Sequence, residues 1–164
     1  MAEPVVFTPI GLVRSPFQKV EDMPLQSAGA LEVLGSAELL PEYAPALADL
    51  DGFSHLILLY CFHRAKPYAP QVTPFLDTTP RGLFATRAPS RPNPIGFSVV
   101  ELLAVEGHVL RLRGVDILDN TPLLDLKPWV PAFDVPLQGE VRAGWLARCA
   151  KRAADARSDD RFKG

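Results

Sequence analysis

Proline sets the first constraint on this chain: there are 17 among 164 residues, about twice the ordinary share of roughly 5%. Each one fixes φ and removes a backbone donor, so the fold cannot be mostly helical and central strands cannot carry proline freely. Disorder is excluded by the apolar share of 48%, because disordered chains are poor in apolar residues. The length suits one domain, and such a domain buries enough surface to need no disulfide or metal. A β-rich protein with stiffened loops remains.

Composition excludes several other classes. The longest apolar run, residues 56–62, is far short of the roughly 18 residues of a membrane-spanning helix. The first 20 residues lack the basic start and apolar stretch of a secretion signal. Cys61 and Cys149 stand far apart in apolar surroundings with no CxxC spacing, which reads as reduced thiols of a cytoplasmic protein, a disulfide or a reactive thiol being the alternative. A net charge of −2 does not suit a generic nucleic-acid coat. The charge is nevertheless uneven: residues 81–91 carry +3, residues 141–164 carry +4, and the remainder carries −9. That asymmetry permits a localised anionic partner, although a basic tail is equally the solvated face of a helix.

Along the chain, residues 5–13 read as a bulged or edge strand around Pro9 and Gly11, and residues 30–34 as a short strand. Residues 41–50 have helical apolar spacing, residues 55–62 form a continuous apolar strand buried on both faces, and residues 83–86 are strand-like. Residues 97–105 and 109–113 form a hairpin around Glu106, Gly107 and His108; residues 115–118 continue as strand before a turn at Asp119 and Asn120. Val141, Trp145 and Cys149 share one face of a helix over residues 141–156. Short strands at regular spacing, joined mostly by loops, predict a mainly β fold: a small β-barrel with a few helical additions and a C-terminal helix. The barrel takes residues 1–138, and a basic amphipathic helix and tail take residues 139–164.

Three segments hold polar residues that core packing does not require. In residues 87–96, Pro89, Pro92 and Pro94 restrict both themselves and the residues before them. A loop so stiff that carries Arg87, Ser90, Arg91 and Asn93 is either a prepared binding surface or a structural crossover. In residues 116–128, the carboxylates of Asp116, Asp119 and Asp125 suit acid–base work or hydrogen bonds from sugar hydroxyls; the spacing matches no metal loop. Asp119 and Asn120 also suit a plain turn. The third segment is His63-Arg64 at a strand end, either a rim position or the mouth of a barrel pocket. GxSxG, GxGxxG and GxxxxGK[ST] motifs are absent from the sequence.

Together, FATRAPSRPNPIGFS (84–98) and DILDNTPLLDLKP (116–128), supported by IGLVRSP (10–16) and LDGFSHL (50–56), resemble the TsaA-like family that includes the TrmO-type tRNA methyltransferases. The resemblance spans roughly residues 5–135 and implies a short form without the extra C-terminal domain of some members. It implies a cytoplasmic homodimeric β-barrel enzyme that uses S-adenosylmethionine to methylate the exocyclic nitrogen of threonylcarbamoyl-adenosine beside the tRNA anticodon. A methyltransferase with another acceptor and a non-catalytic S-adenosylmethionine-binding module are the alternatives. Carried over, the cofactor contacts fall on Pro24, Leu25, Gln26, His63, Arg64, Arg87, Val99, Val115, Asp116, Ile117 and Leu118, with Asp119 and Thr121 added. Leu25 stands where a basic residue is common, Arg64 where an uncharged polar residue occurs, and Asn120 where glycine is usual. Arg81, Arg91, Asn93 and Lys127 are the tRNA-contact candidates, the site is expected to lie near the subunit interface, and no metal is expected.

Overall fold

The computed structural model describes residues 3–24, 29–75, 77–135, 139 and 141–148. Strand β1 (Gly11–Arg14) is followed by β2 (Leu34–Leu39), two 3-10 turns (Pro41–Leu47 and Leu50–Gly52) and β3 (His55–Cys61). A short two-stranded excursion, β4 (Gln71–Val72) with β5 (Arg81–Gly82), leads through a 3-10 turn (Leu83–Ala85) to β6 (Ile95–Glu106), β7 (Val109–Arg113) and β8 (Thr121–Pro128). Six strands close into a barrel in the order β1-β2-β7-β6-β3-β8, and every neighbouring pair is antiparallel. The expected small β-barrel is the fold.

Alternation along the strands builds the interior. Leu56, Leu58 and Tyr60 of β3, Val100 of β6, Leu110 and Leu112 of β7, Val13 of β1 and Leu123 of β8 all point inward and are buried. Each buried leucine or valine contributes about 1.5–3 kcal/mol relative to exposure. Strand β3 is the hinge of the site, because it pairs with β6 on one side, from His55 opposite Glu101 to Cys61 opposite Ile95, and with β8 on the other.

Several expectations about elements change, each for a local reason. Residues 5–10 are not strand: β1 starts at Gly11, Val5 and Val6 are exposed, and Pro9 has no donor for a ladder. Strand β2 starts at Leu34 and not at Ala30, because the Val33 carbonyl instead accepts the N–H groups of Gly114 and Val115 at 2.9 and 3.3 Å. Strand β3 alternates between buried and half-buried positions, so its apolar run reflects a partly covered outer face and not burial on both. Residues 83–86 turn because the Leu83 carbonyl receives both the Thr86 amide and the Thr86 hydroxyl, at 3.0 and 2.7 Å.

Residues 115–118 form a loop, with Val115 and Ile117 as its buried anchors, and a strand unforeseen in the pattern, β8, follows the Asp119-Asn120 turn. Asn120 sits at φ 61°, the left-handed region asparagine tolerates. At the C-terminal end, the expected helix over residues 141–156 is replaced, among the described residues, by a five-residue 3-10 turn (Gly144–Arg148), with Gly144 at φ 56° and Val141 exposed. Cys149 and the rest of that predicted helix lie outside the described residues.

Candidate functional site

A cleft of about 220 Å³ opens at the end of the barrel where β3 and β6 meet. Its walls come from five regions: the 3-10 turn Val20–Asp22 with Met23 and Pro24, the end of β3 with residues 62–65, the β4–β5 excursion, the proline-rich loop at residues 86–89, and residues 116–118 with Thr121. Trp145 and Leu146 close one side.

The proline-rich loop is held by its own side chains. Arg91 Nη1 donates to the carbonyls of Thr86 at 3.0 Å and Ala88 at 3.3 Å, and its guanidinium lies 5.5 Å from the centre of the Phe84 ring. The Ala88 amide donates to Thr86 Oγ1, and Phe62 N–H donates to the Pro94 carbonyl at 2.7 Å. Arg91 therefore clasps the loop, while exposed Arg87 on the same loop faces the cleft and makes no hydrogen bond or ion pair among the described residues.

Opposite, the loop at 114–120 is anchored from β1. Ser15 Oγ donates to the Ile117 carbonyl at 2.5 Å, the Ser15 amide to Asp119 Oδ1 at 3.1 Å, and the Asp119 amide to the Phe17 carbonyl at 2.8 Å. Thr121 Oγ1 donates to the Leu118 carbonyl at 2.7 Å. Arg14 donates to the Asn120 side-chain carbonyl, and Asn120 Nδ2 to Asp119 Oδ2.

Between the two loops runs a chain of hydroxyls. Tyr60 Oη and Ser98 Oγ lie 3.0 Å apart, and Ser98 Oγ donates to Asp116 Oδ1 at 2.6 Å. Because the serine proton goes to the carboxylate, the phenol is the donor of the first bond. Burial, and then the charge of Asp116, push the Tyr60 phenol well above its ordinary value, so it stays protonated. His63, on the cleft wall, is shifted down, first by burial and second by the neighbouring Arg64 charge.

Of the residues singled out in the sequence, Pro24, His63, Arg64, Arg87, Asp116, Ile117, Leu118 and Thr121 come together on this cleft. Val99 lies on β6 opposite Ile57, on the outward face it shares with Phe97 but further from the strand's start, Val115 is buried in the core, and Asp119 braces the turn; none of these three is part of the cleft wall. Leu25 and Gln26 lie outside the described residues. Among the tRNA candidates, Arg81 is bound to Asp77 Oδ2 at 2.8 and 2.5 Å and Lys127 is paired with Asp125 at 2.6 Å. Arg91 Nη1 holds the loop as described, and Asn93 is exposed. Sequence reasoning missed Tyr60, Ser98, Phe62, Phe97 and Trp145. The signal for Tyr60 and Ser98 was a phenol and a hydroxyl inside two apolar strand runs.

Among the described residues, no group of three or more His, Cys, Asp or Glu side chains could hold a metal ion. The donor set does suit the sulfonium nucleoside that the resemblance implies: apolar and aromatic walls for a base, a carboxylate and hydroxyls for a sugar, and a cation for a carboxylate tail.

Comparison with known proteins agrees in extent with this architecture. The family model of the tRNA-methyltransferase O N-terminal domain matches residues 12–135. A probable S-adenosyl-L-methionine-binding protein of Pyrococcus abyssi is 49% identical over 158 residues, covering 96% of this chain and 85% of its own. The tRNA (adenine(37)-N6)-methyltransferase of Escherichia coli is 38% identical over 135 residues, covering 76% of this chain and 57% of the enzyme. A crystal structure of TrmO from Pseudomonas aeruginosa superposes with a TM-score of 0.72 at 39% identity, covering 87% of this chain and 63% of that one.

Proposed function

The chain belongs to the tRNA-methyltransferase O family, and on that premise we propose that it is an S-adenosylmethionine-dependent tRNA methyltransferase whose acceptor is N6 of threonylcarbamoyl-adenosine beside the anticodon. The observation that carries the reading is the convergence of the proline-stiffened loop and the Asp116 loop, both fixed by internal hydrogen bonds, on one apolar cleft. The relatives' names support the cofactor and the class of acceptor.

When bound, the cofactor supplies a methyl group already activated on a sulfonium. The protein's part is then alignment, and holding two reactants in near-attack geometry supplies up to about 7–11 kcal/mol of a barrier. Ile117 and Leu118 present an apolar wall and backbone groups to a base, and Asp116 with Thr121 presents oxygen acceptors. Arg87 is the cation for a carboxylate or a phosphate. His63, whose pKa is lowered by partial desolvation and by the Arg64 charge, is biased toward the neutral imidazole and so adds little charge that would repel a sulfonium. Pro24, Leu25, Gln26 and Arg64 complete the proposed cofactor contacts; Val99, Val115 and Asp119 act in support through the barrel and turn. Arg81, Arg91, Asn93 and Lys127 are the proposed tRNA contacts, with Arg87 beside Arg91 and Asn93 on the loop.

The proposal takes the barrel of residues 1–138 as the cofactor-binding unit and residues 139–164 as a basic appendage, in a cytoplasmic homodimer. Exposed Phe84, Ile95 and Phe97 beside the cleft support an interface near the site. Incubation with labelled S-adenosylmethionine and total tRNA, followed by nucleoside analysis, tests the reading. Label in threonylcarbamoyl-adenosine supports it; label in another acceptor, or binding without transfer, replaces it with the corresponding alternative.

A further inference from the structure

The hydroxyl chain behind the cleft wall has a geometry that ordinary core packing does not need. Tyr60 lies opposite Gly96 in the β3–β6 ladder, and Ser98 lies two residues further along β6 on the same inward face. With no side chain at Gly96, the phenol crosses the strand diagonally to reach Ser98. Ser98 is 1% exposed and Tyr60 5% exposed, so each would suffer if its polar atom lacked a partner. Both are satisfied in series, and the series ends on a carboxylate of the cleft wall at 2.6 Å. An apolar pair, phenylalanine and alanine, would fill the same positions without any of this directionality.

We propose that Tyr60 and Ser98 are positioning residues which fix the rotamer of Asp116 so that it accepts hydrogen bonds from the vicinal hydroxyls of the ligand's ribose, making the site selective for a ribonucleoside. The proposal rests on the cofactor reading above. The donor direction is set: the phenol gives to the serine, and the serine gives to Oδ1. A carboxylate accepts at about four lone-pair positions, so the bond from Ser98 orients the group and is compatible with a ligand hydroxyl on it. Charge-assisted hydrogen bonds are the strong ones and depend on direction. A carboxylate held by a buried serine therefore discriminates between a sugar that offers a hydroxyl and one that does not. Because burial and the Asp116 charge raise the Tyr60 pKa, the phenol keeps its proton at neutral pH and the donor direction of the chain is kept.

The test is calorimetric binding of S-adenosylmethionine and of its 2′,3′-dideoxyribose analogue to the wild type, Tyr60→Phe and Ser98→Ala, with melting curves as the check on folding. The wild type should prefer the ribose form by roughly tenfold or more, as expected of a charge-assisted bond. Each variant should bind the ribose form roughly three- to tenfold more weakly while changing little toward the dideoxy form, so that the preference narrows. A merely structural role would weaken both ligands alike, and that result, or an unchanged preference, overturns the proposal. If Tyr60→Phe does not fold, Ser98→Ala is read by the same ratio. A wild type that fails to bind S-adenosylmethionine at all defeats the cofactor reading instead, whereas a wild type that binds both sugars equally overturns only the role given to Asp116.

Discussion

The ring of Tyr60 lies against the bare Cα of Gly96, so closely that a Cβ on residue 96 would stand 2.1 Å from Tyr60 Cε2 and 2.4 Å from Cζ. Glycine is required here by space and not by φ, since this position lies in a regular strand. Gly96→Ala should force the ring out of its place on β6 and break its bond to Ser98. The expected cost is about 1–3 kcal/mol, the usual range for overpacking a core. Chemical denaturation measures it, and the same variant should lose more ligand affinity than an equally destabilising change at the far end of the barrel, such as Leu112→Ala.

The proline-rich loop gives a prediction about preorganisation. Pro92 and Pro94 do not line the cleft, and the Pro94 carbonyl, which receives Phe62 N–H, survives any substitution. Replacing either by alanine should cost about 0.4–1 kcal/mol of stability through the unfolded chain. If the loop is a prepared binding surface, ligand affinity should fall by more than that equivalent, because ordering is then deferred to binding. Calorimetry and denaturation on the same variants compare the two; equal or smaller affinity losses would make the loop a crossover only.

Arg87 and Arg91, four residues apart on that loop, should separate. Arg87 is exposed and spends no hydrogen bond on the described protein, so Arg87→Ala should leave the melting temperature almost unchanged while weakening cofactor or tRNA binding. Arg91 holds two carbonyls and the Phe84 ring, so Arg91→Ala should both destabilise and loosen the loop. Lysine at 91 should restore little, since it lacks the planar fork and stacking face. Melting curves with and without S-adenosylmethionine distinguish the two patterns.

The hairpin of β6 and β7 and the strand β3 were legible because their apolar residues recur without proline, and the stiff loop between β5 and β6 was legible from its prolines. Elements decided by distant partners were not. Val33 reads as strand by composition, yet its carbonyl is claimed by Gly114 and Val115, some 80 residues away. Strand β8 was hidden by Pro122, Asp125 and Lys127, whose outward or end positions only a closed barrel explains. In the site, charged residues stood out and neutral ones did not: Tyr60 and Ser98 look like core until the β3–β6 register sets them diagonally beside each other. Asp119 stood out as polar, but its acceptor work goes to Ser15 and Asn120.

His63 carries a pH prediction. Its imidazole titrates below the ordinary value of 6.5, first because of burial and second because of Arg64. Above that ordinary value both folded and unfolded chains hold it neutral, and its contribution to stability is fully present. As pH falls below it, the unfolded chain takes up the proton first, and that contribution is lost until the lowered folded value is passed. Relative to His63→Gln, the wild type should therefore lose melting temperature on acidification below about pH 6.5 and match it above. Arg64→Gln should reduce the effect only in part, because burial is the larger cause.

Trp145 ties the C-terminal segment to the cleft. Its indole Nε1 donates to the Ala85 carbonyl at 2.8 Å, and the Arg81 guanidinium lies 5.6 Å from its ring centre. Arg81 is itself fixed by Asp77, whose carboxyl is held below its usual range chiefly by the hydrogen bond from Arg81. An arginine that is anchored on one side and stacked on the other holds the indole as a wall and not as a passing contact. Trp145→Phe should keep most of the apolar wall and lose the hydrogen bond, whereas Trp145→Ala should open the cleft on that side. Ligand affinity should therefore fall modestly for the first and severalfold for the second, with little change in melting temperature, since Trp145 lies outside the barrel core. Asp77→Asn should lower affinity in the same direction by freeing Arg81. Equal affinities across all three variants, measured by calorimetry, would reduce the Trp145 contact to a packing detail without a role in binding.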